Sequence, residues 1–255
     1  MRKKVLCFDL DNTLNLAKTK AEPEIGELSV KLLDKYEYAV ISGQKYDQFL
    51  LQIVEPIVEA GATPEQLSHL HLFVTQGTRY YKFDPELQDW HLVYKYDLTD
   101  EQVNEMTEAL EKAAKELGHW VELDNEDEII ENRLSQVTYS AIGQLATVED
   151  KLAWDPDMSK RNAIAKKAKE IAPQYDYEVA GTTSINVTLP GTNKQFGMKH
   201  LMEQLNVKKD EVLYFGDMCQ PGGNDYPVVE MGFETIEVEK WQDTAFALKG
   251  ILGVS

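Results

Sequence analysis

The sequence predicts an α/β protein, a doubly wound and mainly parallel sheet interrupted by an inserted α+β domain. Three observations predict it. Short apolar runs alternate with amphipathic helical segments at both ends of the chain, the pattern of β-α units. The first run, Val5-Leu6-Cys7-Phe8, ends in Asp9 and Asp11, two residues apart. The middle of the chain breaks the alternation and reads as a helix followed by paired strands, twice over.

In chain order, strands are expected at 5–8, 38–41 and 70–74, with helices at 25–35 and 45–60 between them. The insert follows at 83–189. Thr99-Asp100-Glu101-Gln102 is a capping-box pattern. It opens a helix that presents Val103, Met106, Leu110, Ala113, Ala114 and Leu117 on one face, and Gly118 ends it. Strands at 128–132 and 135–142, a helix at 160–171, and strands at 177–179 and 184–189 complete the insert. A helix at 194–205 and strands at 212–215 and 235–238 return to the first domain. That domain is therefore 1–82 with 190–255, and hinges are expected at 82–85 and 189–191.

Composition narrows the function. The net charge of −18 repels phosphodiester chains and anionic lipid, so neither nucleic acid nor membrane is an expected partner. No apolar run approaches the ~18 residues of a membrane span, and the four apolar residues after Met1-Arg2-Lys3-Lys4 are too few for a signal sequence. A cytoplasmic location is expected. Cys7 and Cys219 are the only cysteines and suggest no disulfide framework. The five histidines lack metal-ligand spacing, and Trp90, Trp120 and Trp154 read as packing residues.

A strand places residues i and i+2 on one side, so Asp9 and Asp11 share a site at its carboxyl end, where open α/β sheets bind ligands. Two adjacent carboxylates call for a hard cation such as Mg²⁺. The stretch Asp9-Leu-Asp11-Asn-Thr13 resembles motif I of the haloacid dehalogenase superfamily. The remaining motifs occur in order: a strand ending in Ser42-Gly43, a lysine in Gly191-Thr-Asn-Lys194, and Gly216-Asp217 followed by Gly222-Gly-Asn224-Asp225. The insert resembles the C2-type cap of subfamily IIB. Ser184-Ile-Asn186-Val187, Thr75-Gln76-Gly77 and the double glycine before Asn224 resemble eukaryotic-type phosphomannomutases.

The resemblance implies phosphoryl transfer through an aspartyl-phosphate. Asp9 is then the nucleophile, Asp11 the general acid and base, and Lys194 the cation that neutralises Asp9 and a phosphoryl oxygen. Mg²⁺ would be held by Asp9, the backbone carbonyl of Asp11, Asp217 and Asp225. Thr13, Ser42, Gly43, Lys194 and Asn224 would bind phosphate, with Gln44 a second candidate for the place of Ser42. Asp225 also reads as a helix N-cap, and Lys199 as a solvated helix residue.

The insert departs from the family. Gln144 stands where phosphomannomutases carry a phosphate-binding arginine, Glu131 where they carry another, and Asn186 where they carry an aspartate. Arg133 or Arg161 would have to compensate. Arg133, Gln144, Ser184 and Asn186 are the candidate substrate residues. Losing a bidentate guanidinium weakens the grip on a second phosphate. The leading expectation is a Mg²⁺-dependent phosphatase of a small phosphorylated metabolite such as a sugar phosphate. A phosphomannomutase-type isomerase comes second and a catalytically silent binding protein third. A homodimer through the cap is a further expectation.

Overall fold

The computed structural model describes residues 3–123 and 128–254. The chain divides into two compact units, Met1–Lys95 with Asn193–Ser255, and Tyr96–Thr192.

The first unit begins with β1 (Val5–Phe8), α1 (Pro23–Leu33) and β2 (Glu37–Ile41). Pro23 opens α1 at a position where its missing N–H costs no hydrogen bond. The helix expected at 45–60 runs unbroken over 46–59, as α2 (Tyr46–Phe49), a π-helical turn Leu50–Val54 and α3 (Glu55–Glu59), with the π turn its one departure from α geometry. Pro56 explains part of this, since it cannot donate to the ladder behind it. The short α4 (Pro64–Leu67) leads into β3 (Leu70–Val74) and a hairpin, β4 (Arg79–Asp84) and β5 (Asp89–Lys95).

That hairpin corrects the expected boundary. Residues 83–95, assigned to the insert from sequence, pair with β3 through β4 and belong to the first unit's sheet. Tyr80 stacks on Phe73 and Trp90 meets Phe83 edge-on, so the hairpin also shares this unit's core. A hinge at 82–85 is likewise displaced, because Lys82, Phe83 and Asp84 are laddered to His91, Trp90 and Asp89.

The second unit contains α5 (Asp100–Glu116), β6 (Ile130–Asn132), β7 (Val137–Ser140), α6 (Val148–Trp154), α7 (Ser159–Ile171), β8 (Asp176–Ala180) and β9 (Ser184–Thr188). Its antiparallel sheet has the order β6-β7-β9-β8. The capping box forms as the sequence requires: Thr99 accepts from Gln102 N and Gln102 accepts from Thr99 N. Met106, Leu110 and Ala113 of α5 and Ile164 and Ala168 of α7 bury one sheet face with Val137, Tyr139, Ile185 and Val187.

Asp155 organises the start of α7. It accepts from the backbone N–H groups of Lys160 and Arg161 and pairs with Arg161 Nε at 2.8 Å, both side chains being buried. Asp155→Asn is expected to destabilise the protein by about 2–3 kcal/mol in urea unfolding, because it leaves a buried guanidinium with a neutral partner. An unchanged midpoint would show that the pair contributes nothing.

The chain re-enters the first unit through α8 (Lys194–Leu205), β10 (Val212–Gly216), α9 (Tyr226–Glu230), β11 (Glu234–Glu237) and α10 (Trp241–Val254). The seven strands run in the order β11-β10-β1-β2-β3-β4-β5, parallel as far as β3 and antiparallel in the hairpin. Strand alternation splits the core into two faces. Phe8, Tyr38, Leu72 and Phe215 pack towards α1, α3 and α10, with the Phe8 ring stacked between Tyr38 and Phe215. Cys7, Ile41, Phe73 and Tyr214 pack towards Met198 and Leu201 of α8. β1 lies between β2 and β10, so its carboxyl end falls in the middle of the sheet edge. Among the described residues, no helix is long and apolar enough to cross a membrane.

Candidate active site

Asp9 follows β1 with the parity of Val5 and Cys7 and so faces α8. Its backbone N–H donates to Phe215 O, which ties the end of β1 to β10. Lys194, the first residue of α8, is fully buried and donates to Asp9 Oδ1 at 2.6 Å and to Asp225 Oδ1 at 2.5 Å. Asp225 also accepts from the Tyr214 hydroxyl and from Met218 N at 3.0 Å. As the residue preceding α9 it makes no side-chain cap, because its carboxylate is committed to Lys194 and Tyr214. Lys199 is exposed, as a solvated helix residue should be.

Close backbone approach holds α8 in place. A Cβ on Gly77 would lie 2.3 Å from the Gly197 Cα, and one on Gly197 would lie 2.9 Å from Gln76 O. The turn Thr75–Gly77 has positive φ at all three residues, a conformation in which glycine alone is unstrained. Gly216 serves a similar end: a Cβ there would stand 2.5 Å from the Asp225 carboxylate.

Ligand oxygens of Asp9, Asp217 and Asp225 lie within 4.8 Å of one another. Burial pushes the Asp9 carboxyl well above the usual carboxylate range, and Asp225 and Asp217 add to it against the pull of Lys194. Asp217 is raised by burial and by Asp225. Asp225 is also buried, yet the Lys194 ammonium and the Tyr214 hydrogen bond hold it below its ordinary value. Lys194 is desolvated too, and its two carboxylate partners keep it firmly protonated. Two of the three carboxylates, Asp9 and Asp225, share the Lys194 ammonium, and Asp217 lies beside them without a direct contact to it. An all-oxygen set with this excess of negative charge fits a hard divalent cation such as Mg²⁺.

Thr13 Oγ1 and Asn224 Oδ1 are buried and have no hydrogen-bond partner among the described residues. The carboxylate of Asp11 is not part of the acidic trio. It accepts instead from Gln44 Nε2 and Lys18 N, both at 2.7 Å. Of the groups assigned to the metal, Asp11 therefore differs from the other three, since its side chain is engaged elsewhere. The Ser42 hydroxyl oxygen accepts from Gln44 N at 3.4 Å, and Gly43 packs beside the Gln76 amide. Gln44 itself reaches Asp11, a contact that no strand or helix pattern encodes.

Three contributors escaped the sequence reading. Tyr214 looks like one more apolar strand residue. Asn12, within motif I, donates to Asp217 Oδ2 at 3.2 Å. Gln76 is buried in the left-handed turn with its Oε1 unpaired.

In the second unit, Ser184 and Asn186 lie on the polar face of β9. Thr138 donates to Asn186 Oδ1 and accepts from Gln136 Nε2. Arg133 pairs with Glu131 at 2.7 Å beyond one end of β7, while Gln144 lies beyond the other end, its N–H donating to Glu128 O. The two are not brought together. Arg161 is 3% exposed and committed to Asp155, Ala180 O and Gly181 O, which removes it as a substitute phosphate ligand.

A family model for eukaryotic phosphomannomutase matches residues 31–254, a span that includes Lys194, Asp217 and Asp225. Phosphomannomutase 1 of Mus musculus is 24% identical over 240 residues, covering 89% of this chain and 84% of the mouse protein. The phosphomannomutase of Saccharomyces cerevisiae is 23% identical over 235 residues, covering 88% of this chain and 84% of the yeast protein. Among solved structures, the IMP-bound, N-terminally truncated IMP-nucleotidase of Plasmodium falciparum superposes with a TM-score of 0.71 at 18% identity, over 99% of this chain and 68% of that one. A haloacid dehalogenase-like hydrolase from Bacteroides thetaiotaomicron gives 0.63 at 13% identity, over 98% of this chain and all of that one. With a family match over most of its length and a haloacid dehalogenase-like fold, the chain belongs to the eukaryotic phosphomannomutase family.

Proposed function

We propose that the protein is a Mg²⁺-dependent phosphosugar mutase that works through an aspartyl-phosphate on Asp9, interconverting hexose 6-phosphate and hexose 1-phosphate. The observation that carries this reading is the buried Asp9–Lys194–Asp225 triad with Asp217 beside it. The family match and the mutase relatives favour isomerisation over the hydrolysis placed first from sequence.

Asp9 is the nucleophile. Lys194 reduces the repulsion between its carboxylate and the incoming phosphoryl oxygens, which is where in-line transfer is most demanding. Asp9, Asp217 and Asp225, with the backbone carbonyl of Asp11, would hold Mg²⁺, which when bound supplies charge neutralisation at the phosphoryl group. Thr13 Oγ1 and Asn224 Oδ1, unpaired and buried, are polar groups left for the bound phosphate and its surroundings. Asp11 gives a proton to the leaving oxygen and recovers one from the acceptor. Within the second unit, Ser184 and Asn186 are the candidates for sugar hydroxyls and Arg133 for a phosphate.

Two observations favour hydrolysis as a second reading: Arg161 is consumed by Asp155, and Gln144 stands in an arginine's place. Mannose 1-phosphate supplied with a hexose bisphosphate and Mg²⁺ separates the two. Mannose 6-phosphate is expected to form faster than inorganic phosphate. Phosphate release outrunning isomer formation would sink the mutase reading and leave the phosphatase.

A further inference from the structure

Asp11 is held from two directions. Gln44 Nε2 donates to its Oδ2 and the backbone N–H of Lys18 donates to its Oδ1, each at 2.7 Å. The two donors come from separate loops, and each loop is braced. On the Gln44 side, Thr75 N donates to Gln44 O and Gln76 N donates to Ser42 O, so the segment after β2 is zipped to the left-handed turn that also abuts α8. On the Lys18 side, buried Asn15 spans its own loop by donating to Thr19 O and Gln52 Oε1, and Lys18 adopts a positive φ that aims its N–H at Asp11. The Asp9 carboxylate meets Lys194 and the other acids. Among the described residues, the hydrogen bonds to the Asp11 carboxylate come from two neutral donors.

We propose that Gln44 is a positioning residue for Asp11, fixing the carboxyl group where it can exchange a proton with the leaving and entering oxygens. The inference rests on the acid–base role given to Asp11 above. In the first transfer an Asp9 oxygen bonds to phosphorus, the bond from phosphorus to the leaving oxygen breaks, and the proton of Asp11 moves to that oxygen. In the second, the acceptor hydroxyl oxygen bonds to phosphorus, its proton returns to Asp11, and the Asp9–phosphorus bond breaks. The Gln44 amide neither gains nor loses a proton in either step. Its contribution is orientation, and a displacement of about 1 Å in such a group costs on the order of 10²-fold.

The rival role for Gln44 is direct contact with phosphate, the task expected of this loop from the sequence. Leaving-group dependence distinguishes them. Phenolate, with a conjugate acid near the tyrosine value of about 10, needs a proton as it departs. Dinitrophenolate does not. The test is kcat/KM, which reports phosphoryl transfer to Asp9, for phenyl phosphate and 2,4-dinitrophenyl phosphate, with Gln44→Met keeping the length of the side chain but not its donor.

Gln44→Met is expected to lower kcat/KM for phenyl phosphate by about 10- to 100-fold and for the dinitrophenyl ester by no more than about threefold. In an Asp11→Asn background it should change neither further. Equal losses on both esters would place Gln44 on the phosphate or in the fold and overturn the inference, and so would no loss on either. The Asp11→Asn variant keeps the premise separate. If it turns over phenyl phosphate as well as the unaltered protein, the role of Asp11 falls and the inference with it. Absence of dinitrophenolate release by the unaltered protein would overturn the proposed chemistry itself.

Discussion

Asp9→Asn is expected to cut phosphoryl transfer by about 10⁴-fold or more while leaving the protein folded. The amide oxygen that replaces the carboxylate is neutral and a poor nucleophile, so no phosphoenzyme forms. The structure explains why folding should survive. Asp9 is buried, and burial, Asp225 and Asp217 push its carboxyl up against the pull of Lys194. Removing that charge leaves Lys194 paired with Asp225 and relieves repulsion between like groups. Without added Mg²⁺, the thermal midpoint of the variant should equal or exceed that of the unaltered protein. Isomer formation, phosphate release and labelling from a phosphoryl donor give the kinetic half of the test. A residual rate within tenfold of normal would mean that the nucleophile lies elsewhere.

Lys194→Met produces the opposite balance. The side chain is fully buried, and both its partners are buried carboxylates at 2.5–2.6 Å. Methionine fills similar space but leaves those carboxylates without a counter-ion, a change expected to destabilise the protein by about 3–5 kcal/mol. Urea unfolding monitored by intrinsic fluorescence measures it. Millimolar Mg²⁺ should recover part of the loss, since a cation that binds only the folded state stabilises it by mass action. Combining Lys194→Met with Asp9→Asn should also recover part, as it removes one of the orphaned charges. If Lys194→Met unfolds at the same urea concentration as the unaltered protein, the ammonium has no structural role. Turnover is expected to fall with it in every case, because Asp9 then faces an anionic substrate without a neighbouring ammonium.

The parts of this molecule legible in sequence are those where local pattern and burial agree. β1, β3 and α8 fall on their expected residues, since each is a fully buried strand of mainly apolar residues or a helix opened by a capping asparagine. The hairpin of β4 and β5 was not legible. Its strands mix Lys82, Asp84, Asp89, His91 and Lys95 with aromatic residues, and β5 is an edge strand with Leu92 and Val93 exposed. An edge strand has little need of a clean apolar alternation, so periodicity is weak where the insert is expected to begin.

The site shows the same division. Asp9, Lys194 and Asp217 are legible because each lies at the end of an apolar strand or the start of a helix, and Asp225 because it closes the stretch Gly222-Gly-Asn224-Asp225. Gln44 could not be placed, because whether Ser42 or Gln44 faces the reacting group depends on how the loop after β2 is zipped to Thr75 and Gln76. Tyr214 was hidden for a related reason: on a strand between two cores, a tyrosine reads as packing until its hydroxyl is seen on Asp225. Arg161 is hidden in the same way. Nothing in the sequence around Arg161 announces that Asp155, six residues earlier, has already claimed it.

The split first unit has a cost during synthesis. Asp9 and Lys194 are separated by 185 positions, so at about 5–20 residues per second the Asp9 carboxylate waits roughly 10–40 s for its ammonium to be made. Through that interval β10 does not exist, and β1, a central strand of the finished sheet, is an open edge with unpaired N–H and C=O groups along one side. The nascent chain is then exposed to mispairing at the strand that leads into Asp9, and only the translation of β10 closes that edge.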